Sequence, residues 1–120
     1  MTTHDALSIA RAYHDRWTSG DFDGAAALLA RDLAVEVPIN HYADGDAFAA
    51  AVRDFGSMVG RTELLCELGG PAEAMLLYDM DVNGLGPMRI AEHFTVSDGR
   101  IVRVRQVHDT AALRAAGFGG

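Results

Sequence analysis

The chain has 120 residues, 49% of them hydrophobic, which suits one compact domain over residues 1–120 with a real core. A formal charge of −7 argues against a nucleic-acid footprint, which needs clustered basic surface. All ten basic residues are arginine, so no internal amine is present for Schiff-base chemistry.

In chain order, Leu7, Ala10, Tyr13 or His14, and Trp17 follow the spacing of an amphipathic helix, with Thr2 or Thr3 expected as its cap and an end near Ser19-Gly20. Asp21 is placed to cap a second helix over "FDGAAALLA". "LAVEVP", ending at Pro38, reads as a short strand, and "INHYADGD" as a loop in which His41 and Tyr42 border whatever lies beneath. "AFAAAVRDFGSMV" predicts a third helix with Phe48, Val52, Phe55 and Val59 on one stripe.

From Arg61 the period becomes two. Leu64, Cys66 and Leu68 are expected on one face, and Glu63 and Glu67 on the other, until Gly69-Gly70-Pro71 breaks the strand. "EAMLLYDMDV" groups Ala74, Leu76, Tyr78, Met80 and Val82 against Asp79 and Asp81. Two further strands fold about Ser97-Asp98-Gly99, and alternation sets Glu92 on the same face as Ile90, Phe94 and Val96. On the last strand Val102, Val104, Gln106 and His108 share one face, opposite Ile101, Arg103, Arg105, Val107 and Asp109, with Arg103 and Arg105 expected to meet Glu63, Glu67, Asp79 or Asp81. The order predicts an α+β fold: a curved, mostly antiparallel sheet packed against three helices from the N-terminal half.

An unpaired carboxylate is costly to bury, so Glu92 needs a partner, with Tyr13 or His108 the candidates, or a proton. With the His108 face turned inward, Gln106 and His108 join Tyr13 and Glu92 around an apolar chamber, the usual form of a small-molecule site. His108 is a candidate general base, because an ordinary imidazole changes charge near neutral pH, at about 6.5. Trp17, Phe55, Met58, Tyr78, Met80 and Phe94 are candidates to line the pocket or fill the core.

"SGDFDGAAALLARDLAVEVP" and "GRIVRVRQVHD", with their order and spacing, make the chain resemble the SnoaL-like and ketosteroid-isomerase-like branch of the nuclear transport factor 2 superfamily. That resemblance implies a cone-shaped fold whose sheet and helices close around one deep apolar pocket, and commonly a homodimer. It places an oxyanion-hole tyrosine at Tyr13 and a hydrogen-bonding acid at Glu92 of "EHF"; an acid kept neutral by an apolar site can donate a hydrogen bond. The general-base position of the family's "VEDP" is Val37 here, in "VEVP", and Gly56 replaces a pocket tyrosine beside Phe55. Asp109 corresponds to an aspartate of the cyclase and epoxide-hydrolase members, whereas "DMD" lacks the arginine of the hydrolase element.

The expected function is acid/base isomerisation, cyclisation or dehydration of a small apolar carbonyl- or polyene-like metabolite. Tyr13, Glu92, His108 and Asp109 would carry the chemistry, with Trp17, Val37, Phe55, Met58, Tyr78, Met80, Phe94 and Gln106 contacting substrate. The alternatives are a non-catalytic binder or association module and an epoxide hydrolase. No His/Cys/Asp cluster has metal-ligand spacing, no cofactor is indicated, and no run approaches the ~20 apolar residues of a membrane span. A lone Cys66 and the lack of a leader-like N-terminus suit the cytoplasm, without nucleic-acid or membrane partners.

Overall fold

A computed structural model describes residues 5–118. Helices α1 (Ala6–Thr18), α2 (Phe22–Ala26) and α3 (Gly45–Gly56) and strand β1 (Leu29–Glu36) precede strands β2 (Val59–Gly69), β3 (Glu73–Val82), β4 (Gly86–Ser97) and β5 (Arg100–Val107); a short helix α4 (Ala111–Ala115) follows. The expected caps Thr2 and Thr3 lie outside the described residues. Instead, Asp5 caps α1 by accepting from the Ser8 amide at 2.9 Å, while Asp21 and Asp44 do the same for α2 and α3.

The second helix is shorter than its alanine content suggests. It ends at Ala26 because Leu29 already enters β1, where Leu29, Ala30 and Leu33 are buried against the core. Packing outweighs helix propensity there. Val59, expected on the third helix, likewise opens β2. The fourth helix was absent from the sequence expectation; its five residues are too short for a hydrophobic period to register.

The five strands form one sheet in the order β1-β5-β4-β3-β2, antiparallel except for the β1–β5 pair. β3 and β4 pair without interruption from Glu73↔Thr95 to Val82↔Gly86, so alternation along them holds: Ala74, Leu76, Tyr78, Met80 and Val82 are all buried, as are Met88, Ile90, Glu92, Phe94 and Val96. These residues face α1, whose Ala6, Ile9, Ala10, Tyr13, His14 and Trp17 are buried; Leu7 stands at the margin.

Two bulges change the expected faces. Leu64 pairs with Tyr78 but Cys66 with Leu77, so Leu65 is an extra residue and everything after it flips. Cys66 and Leu68 therefore point outward and are exposed, Glu67 reaches Arg11 on α1, and Gly69 lies against Leu7, where a Cβ would stand 2.5 Å from that side chain. On β5, Val96 pairs with Ile101 and Thr95 with Arg103, which makes Val102 the extra residue. Ile101, expected outside, is consequently fully buried, and Val104 and Gln106 keep their inward orientation.

The outer arginines also pair differently from expectation. Arg89 makes a two-pronged contact with Asp79 at 2.7 and 2.9 Å, and Arg105 meets Glu36 on neighbouring β1 at 3.5 Å. Both pairs are solvent-exposed. Such contacts set local geometry more than stability.

Candidate functional site

Between the concave face of the sheet, α1, α3 and the loop after β1 lies a cavity of about 470 Å³. Its wall is mainly hydrocarbon and aromatic. Met58, Met80 and Met88 supply flexible thioethers, Val37, Ile39 and Ile90 branched surface, and Trp17, Tyr42, Phe48 and Phe55 rings. Gly56 matters through what it omits: a Cβ there would stand 2.6 Å from the Phe22 ring, so a larger residue would push that ring aside.

Three polar groups of the wall, Tyr13, Tyr78 and Glu92, are almost wholly buried. Glu92 is 1% exposed, and both of its oxygens are held: Tyr78 donates its hydroxyl to Oε1 at 2.9 Å and Gln106 donates Nε2–H to Oε2 at 2.8 Å. Cross-strand pairing dictates this, because Gln106 stands directly opposite Glu92 on β5 and Leu76, two residues before Tyr78, opposite it on β3. Burial pushes the carboxyl up to about 7, while the hydrogen bonds from Gln106 and Tyr78 pull it down. The group is thus poised to gain or lose a proton near neutrality.

Tyr13, 1% exposed, also lines the cavity, its ring edge-on to Phe94 with centroids 5.9 Å apart. Its hydroxyl makes no hydrogen bond among the described residues, which leaves it free to donate to a guest. Desolvation and the nearby Glu92 charge hold the phenol well above its ordinary value, so it stays protonated. The Tyr78 phenol is raised for the same two reasons. Its ring leans on His14 at 4.7 Å and Trp17 at 6.1 Å.

The expectation that Tyr13 or His108 would hold Glu92 is therefore corrected: the holders are Tyr78 and Gln106. Of the other anticipated residues, Trp17, Val37, Phe55, Met58 and Met80 line the cavity. Phe94 does not; it is wholly buried behind Tyr13 as core. His108 lines the more exposed part, and its Nδ1 lies 3.0 Å from the Asp109 carbonyl. A carbonyl only accepts, so Nδ1 carries hydrogen and Nε2 holds the lone pair when the ring is neutral.

Asp109 is not part of the cavity wall. Its side chain accepts from the Ala111 amide at 3.0 Å and so starts α4, and the residue is exposed. Sequence reasoning missed the lining residues Asn40, Asp54, Leu113 and Phe118, which come from a loop, an exposed helix face, and the unanticipated α4 with the turn that follows it. His41 lies outside the lining, whereas Tyr42 joins it through an edge contact with Phe48 at 5.6 Å. Among the described residues, no group of three or more His, Cys, Asp or Glu is placed to hold a metal ion, and no helix is long and apolar enough to cross a membrane.

Residues 10–104 match the model of the SnoaL-like domain. A crystal structure of a protein from Kribbella flavida superposes with a TM-score of 0.88 at 33% identity, covering 96% of this chain and 94% of that one. A steroid delta-isomerase from Pseudomonas aeruginosa superposes at 0.76 with 18% identity, covering 92% and 84%. An LEH-like epoxide hydrolase from M. tuberculosis gives 0.72 with 21% identity, covering 91% and 86%. Comparison with curated proteins finds no match. With the helices, curved sheet and apolar chamber all in place, the chain belongs to the SnoaL-like family.

Proposed function

We propose that this protein is a small-molecule enzyme that moves a proton on an apolar carbonyl- or polyene-like metabolite, in an isomerisation, cyclisation or dehydration. One observation carries the reading: a carboxyl enclosed by hydrocarbon, held by two neutral donors and raised to about 7, at the buried end of a cavity large enough for a guest. Perturbed acids of this kind are what proton transfer at neutral pH requires.

Glu92 is the proton carrier in this scheme. As carboxylate it takes a proton from carbon next to a substrate carbonyl; the electron pair moves onto the carbonyl oxygen, where the unengaged Tyr13 hydroxyl donates a hydrogen bond. Returning the same proton to a different carbon completes an isomerisation with no co-reactant. His108, with its free Nε2 nearer the rim, serves substrates that need a second transfer, as dehydration does. Val37 leaves hydrocarbon at the position of the family's usual base, so the proton-transfer role falls to Glu92.

Asp109, facing away from the cavity, is dropped from the catalytic set, and with it the Asp109 route to epoxide opening. A non-catalytic carrier remains the second reading, favoured by Val37. Conversion of a β,γ-unsaturated cyclic ketone to its conjugated isomer, followed by ultraviolet absorbance, separates the two. Glu92→Gln should lower turnover by a factor of ~100 or more, and equal turnover in the two proteins would refute the proton-carrier role.

A further inference from the structure

Residues 110–118 are attached to the protein in an unusual way. Among the described residues, all their hydrogen bonds stay within residues 109–118. Asp109 accepts from the Ala111 amide, Arg114 Nε donates to Thr110 Oγ1 at 3.1 Å, and the Phe118 amide closes back on the Leu113 carbonyl at 3.0 Å past Gly117, whose φ is 95°. The helix is thus finished at both ends by its own residues. Sheet pairing stops at Val107, and residues 108–110 have no regular structure.

What holds this unit down is hydrocarbon. Leu113 is 7% exposed and Phe118 37%, both line the cavity, and Ala111, Ala112, Arg114, Ala115 and Ala116 face solvent. Swinging the unit outward about residues 108–110 breaks no hydrogen bond to the described residues of the sheet or of α1–α3, and withdraws Leu113 from the edge of the core together with the partly exposed Phe118. Burial of one or two apolar groups weights the closed state by factors of roughly ten to a hundred, so the open state stays accessible.

We propose that residues 110–118 form a lid over the cavity, hinged at His108–Thr110, and that Leu113 and Phe118 are ligand contacts that set how long a guest is retained. The inference rests on the cavity being a ligand site and is independent of chemistry at Glu92. It also explains why His108 sits where it does: its ring is tied to the Asp109 carbonyl, so lid movement reorients the histidine at the rim. Lids of this type exchange on microsecond to millisecond times and commonly govern release.

The test uses 1-aminoanthracene, a neutral apolar fluorophore, with stopped-flow measurement of its dissociation. Leu113→Ala and a chain ending at Asp109 should both release it about tenfold faster or more, while the sheet keeps a single cooperative melting transition. In the intact protein, the Leu113–Phe118 amides should exchange hydrogen well ahead of those in β4 and slow when the fluorophore is bound. Unchanged dissociation in both variants, or α4 amides as protected as β4, would overturn the lid. Absence of any binding to the unaltered protein would overturn the ligand-site reading together with it.

Discussion

At the scale of single residues, the site is a compromise written into Glu92. Enclosure favours the neutral acid, whereas donors on both oxygens favour the carboxylate, and the balance falls near neutrality. The consequence for stability has a definite sign. The folded carboxyl binds its proton more tightly than the unfolded one, whose ordinary value is 4.5, so the folded state binds more protons between 4.5 and about 7. Stability must fall as pH rises through that window, by about 3 kcal/mol if Glu92 acts alone, and the fall should disappear in Glu92→Gln; denaturant melts across that range check it. Tyr78→Phe removes a hydrogen bond that favours the charged form, and should move the ionisation of Glu92, and any pH–rate limb it controls, to higher pH. Glu92's inward orientation was legible because β3 and β4 alternate without interruption. Its partners were not, because the identity of a cross-strand neighbour depends on register, which one sequence leaves open.

At the scale of elements, agreement and disagreement have the same origin. Helices α1 and α3 were legible from apolar residues three and four apart, and β3 and β4 from strict alternation. Cys66, Leu68 and Ile101 depart from simple alternation because single extra residues, Leu65 and Val102, put the two sides of each strand out of phase with one another. Nothing in residue type announces a bulge without a glycine. These irregularities are also functional: the inversion on β5 lets both Ile101 and Gln106 face inward, the first completing the core and the second reaching Glu92. The resemblance places Asp109 in the chemistry because a carboxylate ends a strand in related enzymes; here the chain turns into a helix, and the same carboxylate accepts from that helix's first amide.

At the scale of the whole molecule, the concave face of the sheet is committed to the cavity and the convex face is open. Leu65, Leu68, Met75 and Val107 are exposed there, Val107 at 72%, beside His93 paired with Glu73 and Arg105 near Glu36. We propose that two copies pair through this convex face, since a sheet surface with apolar residues among complementary charges suits a self-complementary twofold contact. Light scattering should then give a dimer mass for the unaltered protein and a monomer for Val107→Glu combined with Met75→Glu, with the melting behaviour of the cavity side retained; a monomer at the outset would refute the pairing. Such a contact leaves the chamber accessible from its rim.

The proposed chemistry turns on the protonation of one glutamate. Carbon-13 NMR of the Glu92 carboxyl, assigned by comparison with Glu92→Gln and followed from pH 4 to pH 9, measures it directly. A midpoint near 7 is the predicted result. A midpoint at the ordinary value of 4.5 would mean that the carboxyl is solvated, and would contradict the proposed chemistry.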